Sequence, residues 1–130
     1  MTRPVPHRPA RQKRDVLLVE APSTARDRHN RTLVRNGYKV IPADNIDSGR
    51  EQWSPHRYGL VVVSLNGFGE QAARFCDEIK EADESQVIAM IFNPDQELPA
   101  TECPTLIFTT EPDEYFLARV ETLTSVAYAA

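Results

Sequence analysis

The chain has 130 residues, of which 41% are hydrophobic and 26% are charged, with a net charge of −4, and this size and composition suit one globular domain with a single core. A membrane-spanning helix is not expected, because no run of apolar residues is long enough to cross a bilayer. No secretory signal peptide is expected, because the first residues contain no apolar stretch.

Charge is unevenly distributed along the chain. Residues 1–14 contain five basic residues and no acidic one, so residues 15–130 carry a net charge of −9. Because Pro4, Pro6 and Pro9 oppose a helix, residues 1–14 are predicted to form a disordered basic arm, and residues 15–130 the folded domain. The arm is interpreted either as a solubilising tail or as a weak anchor for nucleic acid, lipid or an acidic partner.

The first half of the chain alternates between strands and helices. Residues 15–20 (DVLLVE) form an apolar run typical of a buried strand, and a polar helix is predicted between Ser23 and Gly37. Residues 38–43 (YKVIPA) are predicted to form a strand near a sheet edge, since Pro42 cannot donate a hydrogen bond. A short helix over residues 45–53 is predicted to turn Ile46, Gly49 and Trp53 inward.

The second half repeats the alternation. Residues 58–65 (YGLVVVSL) are apolar on both faces and are predicted to be the central strand. A helix follows over residues 69–82, then strands at 86–92 and 105–110 and a last helix from Pro112 to Ala129. The prolines of residues 93–104 predict a short or broken fourth helix there. Five strands alternating with helices predict a single, doubly wound parallel sheet.

From Asp15 onward the chain resembles the receiver domain of bacterial two-component response regulators. The resemblance rests on motifs in the family's order: LLVE at the first strand, APST before the first helix, NGYKVIPADN, VVVSLNGFG and TLIFTTEP. It implies the flavodoxin-like (βα)5 receiver fold. In the family, an aspartate ending the third strand accepts a phosphoryl group, two acids help bind Mg²⁺, and a Ser or Thr and a Lys contact the phosphoryl group.

Several family positions are altered in this chain. The acceptor position falls on Ser64, and the acidic pair falls on Glu20 and Ala21. The hydroxyl position falls on Ile91, and the lysine position falls on Glu111. Asn66 matches the position that lends a carbonyl to the metal, and Phe108 matches the switch aromatic. Because Mg²⁺ favours carboxylates and Glu111 would repel phosphate, the resemblance implies a degenerate phosphoacceptor site with no catalytic residue, bound metal or cofactor.

These residues also have other interpretations. A nucleophilic Ser64 needs a base in reach, and none of the three histidines follows a neighbouring strand. The GFG of residues 67–69 is interpreted as a tight turn rather than a phosphate loop. Glu20 and Glu111 either share an ion or play a structural part, with Glu111 accepting a hydrogen bond. His29 is interpreted as half-buried or solvated, since no metal ligand stands one turn away.

The resulting functional expectation is a cytoplasmic, non-catalytic receiver-like module of a two-component pathway. Its partner is expected to be another signalling protein, a histidine kinase or an output protein, with a homodimer possible and no membrane contact. The last helix, with Tyr115 and Tyr128, is expected to supply the docking face. The alternatives are regulation through Ser64 phosphorylation or a small ligand, a flavodoxin-like enzyme, and a nucleic-acid accessory protein. Cys76 and Cys103 are expected to be free thiols.

Overall fold

The computed structural model describes residues 12–93, 95, 105–108 and 112–129. Within these residues, strands and helices follow one another as β1 (Gln12–Val19), α1 (Thr24–Arg35), β2 (Lys39–Ala43), α2 (Ile46–Gln52), β3 (Tyr58–Ser64), α3 (Glu70–Ala82), β4 (Ile88–Phe92), β5 (Thr105–Phe108) and α4 (Asp113–Ala129).

The five strands form one parallel sheet in the order β2-β1-β3-β4-β5. This confirms the predicted fold class, a doubly wound parallel sheet. β3 is the central strand, and all seven of its residues are buried, because apolar side chains there meet helices on both faces. β2 is an edge strand, as Pro42 predicts, because only an edge strand has a side on which a missing N–H costs the sheet no hydrogen bond.

The two faces of the sheet are covered by different helices. Val61 and Val63 of β3 pack with Phe75 of α3 and Ile46 of α2. The neighbouring positions of the same strand point the other way and pack with the apolar residues of α1 and α4: Leu33, Phe116 and Val120. The period of two in β3 thus divides the core between the α2/α3 face and the α1/α4 face.

The first strand starts earlier than the sequence pattern indicates. Gln12 pairs with Tyr58, so residues 12–14 lie in β1 and the predicted boundary after residue 14 does not coincide with the start of the strand. Arg14 is held by its own contacts: its Nη1 donates to the carbonyl of Asn36 at 3.0 Å, and its guanidinium lies 4.5 Å from the centre of the Tyr38 ring. Residues 1–11 of the predicted arm lie outside the described residues.

Trp53 is anchored at the N-terminal end of β4. Its Nε1 donates to Oε1 of Gln86 at 3.0 Å, and Nε2 of Gln86 donates to the carbonyls of Tyr58 and Val87. Gln86 is completely buried, so its amide satisfies polar groups that burial would otherwise leave unpaired. The prediction that Trp53 packs on the core is confirmed.

The predicted fourth helix, within residues 93–104, lies outside the described residues except for Asn93 and Asp95. In α4, Phe116 and Val120 are buried against the sheet. Tyr115 is exposed, as predicted, whereas the side chains of Ala127 and Tyr128 lie outside the described part of the chain.

Candidate functional site

A cleft of about 360 Å³ opens at the C-terminal ends of β1, β3 and β4. Loops that follow the strands of an open parallel sheet meet at this end, which is where such folds bind ligands. The described residues that line the cleft come from the β1–α1, β3–α3 and β4 segments: Glu20, Ala21, Pro22, Ser23, Ala25, Ser64, Asn66 and Asn93. The structure therefore brings together the predicted positions Glu20, Ala21, Ser64 and Asn66.

Glu20 follows β1 and extends its pairing. Its backbone N–H donates to the carbonyl of Ala43 at 3.0 Å. Glu20 is two residues beyond Leu18, so the alternation of the strand directs its side chain to the α1/α4 face. Only 5% of Glu20 is exposed, which makes its carboxyl group a buried polar group that needs a partner.

That partner is His29 on α1. Nδ1 of His29 lies 2.9 Å from Oε1 of Glu20, and His29 is only 3% exposed. With an ionised carboxylate as acceptor, the imidazole carries its proton on Nδ1 and donates it. The other side of the imidazole meets the ring of Phe116, with centroids 4.6 Å apart and planes 35° apart.

The interpretation of His29 as half-buried or solvated is wrong. His29 and Leu33 are the two buried residues of α1, one turn apart on the same side of the helix. The helix is otherwise so polar that its apolar stripe is hard to recognise in the sequence. The spacing of His29 and Leu33 is the available signal, together with an acid ending the preceding strand that must find a buried partner.

Two arginines of α1 fix the loops around the cleft. The helix begins after Ser23, whose side chain accepts a hydrogen bond from the N–H of Arg26. Arg26 forms an ion pair with Asp44, which follows β2. Arg28 Nε donates to Oδ1 of Asp113 at 2.8 Å, which joins α1 to the start of α4.

Ser64 is the last residue of β3 and only 1% of it is exposed. Its Oγ accepts a hydrogen bond from the N–H of Asn66 at 3.3 Å, so the hydroxyl closes the first part of the turn. Ile91 lies opposite Ser64 in the β3–β4 register and is completely buried. The residue that pairs with Ser64 on β4 therefore presents an aliphatic side chain rather than a hydroxyl.

The turn after β3 is the tight turn that the GFG motif predicts. Gly67 and Gly69 adopt positive φ angles of 84° and 57°. The carbonyl of Leu65 accepts hydrogen bonds from the N–H groups of Phe68 and Gly69. Glycine is suited to both positions because an L side chain rarely adopts such φ angles.

Two predicted positions cannot be placed in the cleft. Glu111 lies outside the described residues. Phe108 pairs with Phe92 in the β4–β5 ladder, but its side chain lies outside the described part of the chain.

Within the described ranges, no group of three or more His, Cys, Asp or Glu side chains is arranged to hold a metal ion. No helix in the same ranges has the length and apolarity needed to cross a bilayer.

Neither protein-family models nor curated proteins give a significant match to the chain. Solved structures do match it. The signal receiver domain of an HD domain-containing protein from Pseudomonas fluorescens Pf-5 has a TM-score of 0.76 at 11% identity, over 92% of this chain and 100% of that one. A CheY-like response regulator receiver domain protein from Methanospirillum hungatei JF-1 has a TM-score of 0.75 at 11% identity, over 88% of this chain and 95% of that one.

A third match has the same character. The N-terminal domain of a response regulator/sensory box/GGDEF three-domain protein from Carboxydothermus hydrogenoformans has a TM-score of 0.74 at 14% identity, over 88% of this chain and 97% of that one. At such low identity the likeness concerns the fold, since one fold hosts many functions. The chain thus has the fold of the response-regulator receiver domains of two-component signalling proteins.

Proposed function

We propose that this protein is a degenerate receiver-like signalling module that acts by binding another protein, without phosphorylation of an aspartate and without bound Mg²⁺. The observation that carries the proposal is the hydrogen bond between Glu20 and His29. Glu20 is the one acid among the described residues that line the cleft. Its side chain is only 6% exposed and one of its two carboxylate oxygens is bonded to a buried imidazole, so Glu20 offers little of its carboxylate to a cation in the cleft.

The donor set around the cleft does not fit Mg²⁺. This ion takes six oxygen ligands in near-ideal octahedral geometry, and proteins usually supply one or two carboxylates. Ala21 stands where the resemblance places a second acid and contributes no ligand. The other described polar side chains of the cleft are the neutral groups of Ser23, Ser64, Asn66 and Asn93.

The acceptor position also supports the proposal. A serine hydroxyl is a weak nucleophile unless a base activates it. Among the described residues, Ser64 Oγ accepts a hydrogen bond from the backbone N–H of Asn66 and is not hydrogen-bonded to a histidine. The same observation supports a module that is not an enzyme.

The proposal is tested by treating the purified protein with acetyl phosphate and Mg²⁺ and measuring its intact mass. The expected result is no phosphorylated species under conditions that fully phosphorylate a receiver domain with an intact aspartate. Isothermal titration calorimetry with Mg²⁺ should give no saturable heat. Trp53 is a poor reporter of this site, because it bonds Gln86 at the opposite end of the sheet. Stoichiometric phosphorylation of the protein would refute the proposal.

The cleft itself favours a second candidate, a receiver-fold module controlled by a small ligand. Its volume of about 360 Å³ lies within the range of small-molecule sites. Control through a kinase acting on Ser64 is less favourable, because a side chain with 1% exposure is out of reach of a kinase. A thermal-shift screen of small polar compounds tests this candidate. A hit counts in its favour only if Asn66→Ala, which truncates an exposed side chain of the cleft, abolishes the shift.

A further inference from the structure

Positive charge is concentrated in one part of the chain. Residues 12–39 contain seven Lys and Arg residues and three acids, whereas residues 40–130 contain five basic and sixteen acidic residues. In the fold, residues 12–39 form β1, α1 and the start of β2. An overall acidic protein therefore carries a basic surface around α1.

The exposed side of α1 forms a shallow groove, here called the α1 groove. It has a volume of about 400 Å³ and is lined by Asp27, Asn30, Arg31, Val34 and Arg35. Val34 is 54% exposed, and the described part of the chain has just one other large apolar residue with such exposure, Tyr115. The α1 groove thus presents an apolar side chain between two guanidinium groups, at positions i, i+3 and i+4 of one helix face.

These two guanidinium groups have no carboxylate partner among the described residues. Arg26 and Arg28 of the same helix do: they pair with Asp44 and Asp113. Arg31 and Arg35 are exposed and take part in none of the ion pairs within the described ranges. Arg35, in the last turn, also complements the helix dipole, but the dipole does not account for an exposed Val34 beside it.

The basic surface continues past the end of α1. Arg14 is exposed and is tied to the carbonyl of Asn36, just beyond the helix. Lys39 is exposed at the start of β2. At its other end the α1 groove is bounded by Asp27. The α1 groove therefore has one carboxylate at one end and two guanidinium groups toward the other.

We infer that the α1 groove binds an acidic segment of a partner protein that presents an apolar side chain between carboxylates. This inference rests on the proposed function, whose partner class and contact surface it specifies. Carboxylates pair with the guanidinium groups of Arg31 and Arg35 through bidentate, charge-assisted hydrogen bonds, and the apolar side chain covers Val34. Nucleic acid fits less well, because the α1 groove offers no aromatic side chain on which a base could stack.

The probe is a short fluorescein-labelled helical peptide of glutamate and leucine, titrated with the full chain and followed by fluorescence anisotropy without Mg²⁺ or a phosphoryl donor. The native protein is expected to bind this peptide and not the matched peptide with glutamine in place of glutamate. Arg31→Glu with Arg35→Glu should weaken binding by about tenfold or more, as expected for two charge-assisted contacts. Val34→Asp should weaken it by about fivefold through loss of apolar burial.

Arg74→Glu is the matched control, because Arg74 is exposed on α3, on the other face of the sheet. The control is expected to bind the peptide as the native protein does. The inference would be overturned if Arg74→Glu weakened peptide binding as much as the α1 variants do, or if the native protein did not bind the peptide. It would also be overturned if single-stranded DNA bound more tightly than the peptide with the same dependence on Arg31 and Arg35. The peptide titration contains neither Mg²⁺ nor a phosphoryl donor, so its result does not depend on phosphorylation. Phosphorylation of the protein in the separate acetyl phosphate experiment would refute the proposed function and leave the peptide result unaffected.

Discussion

His29 and Glu20 form a buried hydrogen-bonded pair, with 2.9 Å between Nδ1 and Oε1 and less than one-tenth of either side chain exposed. The pair joins the end of β1 to α1, and the ring of Phe116 joins His29 to α4. An acid that the resemblance assigns to metal binding is thereby part of the packing between α1, α4 and the sheet.

The first prediction concerns the stability that this pair contributes. Glu20→Ala should lower the free energy of unfolding by about 2 kcal/mol, because it leaves the imidazole of His29 buried without its partner. Glu20→Gln should cost less, since its amide oxygen can still accept the hydrogen bond. Urea denaturation measures both values.

The control for this prediction is Asp47→Ala. Asp47 pairs with Arg50 on the surface and its side chain is 90% exposed, so its removal should change the free energy of unfolding by less than about 0.5 kcal/mol. If Glu20→Ala proves as harmless as Asp47→Ala, the pair does not stabilise the fold.

Much of the fold could be predicted from local patterns. The apolar run of β3 identified the central strand because such a run is stable only when both faces are covered. Pro42 identified the edge strand because a missing N–H is tolerated there. The start of β1 was not predictable, since Gln12 and Arg14 have the composition of the basic arm and are placed by pairing with Tyr58 and by contacts with Asn36 and Tyr38.

The candidate site was predictable in part. The resemblance to receiver domains assigned Glu20, Ala21, Ser64 and Asn66 to one site, and the structure places all four in one cleft where strand ends meet. The engagement of Glu20 by His29 depends on how α1 is rotated against the sheet. That rotation is set by packing with Phe116, which lies 87 positions further along the chain than His29 and left no local signal.

The second prediction concerns Gly49, in the middle of α2. A Cβ atom at this position would lie 3.0 Å from Cγ2 of Val19 and 3.3 Å from the ring of Phe75. Both neighbours belong to the α2/α3 core, so neither can move freely. Gly49→Ala should therefore destabilise the fold by about 1 kcal/mol, although alanine is favoured over glycine in an exposed helix.

Ser48→Ala, at the neighbouring position of α2, is the control for Gly49→Ala. Ser48 is half-buried and its backbone N–H, which the substitution keeps, donates to the Asn45 cap. Thermal denaturation should show a lower midpoint for Gly49→Ala than for Ser48→Ala. A higher midpoint for Gly49→Ala would mean that Val19 and Phe75 yield to the added methyl group.

The third prediction concerns alkaline pH. Burial raises the pKa of Tyr58 above its ordinary value of 10.0, and this outweighs the lowering by the charge of Arg57; Asp15 raises the pKa slightly further. Unfolded Tyr58 loses its proton near pH 10, whereas the folded protein holds the proton more tightly. The stability from neutral Tyr58 is therefore fully present below pH 10 and is lost as the pH rises through the raised folded pKa.

The measurement is the free energy of unfolding between pH 9 and pH 12, compared with that of Tyr58→Phe. The variant loses the hydrogen bond from the Tyr58 hydroxyl to the carbonyl of Gln52 and should be less stable at neutral pH. Its stability should fall less steeply above pH 10. Parallel curves for the two proteins would show that Tyr58 has no part in the alkaline loss.

The last prediction concerns the acceptor position. Ser64→Asp alone should not make the protein a substrate of acetyl phosphate. The new carboxylate would stand at the end of β3, but Glu20 stays bonded to His29 and Ala21 supplies no ligand. Ile91, opposite position 64, still offers no hydroxyl to the phosphoryl group. Each missing group removes about 1–3 kcal/mol of transition-state stabilisation, so several together remove most of the acceleration.

A second variant combines Ser64→Asp with three further changes, Ala21→Asp, Ile91→Thr and Glu111→Lys. This variant should be phosphorylated more than the Ser64→Asp variant, because the further changes supply a second acid, a hydroxyl and a cation. Adding His29→Leu should increase the yield of phosphorylated protein again. It removes the imidazole that holds the Glu20 carboxylate, and the leucine still packs against the ring of Phe116. Intact-mass measurement after acetyl phosphate treatment gives the yield for each variant. Stoichiometric phosphorylation of Ser64→Asp by itself would show that the remaining side chains already form a competent site.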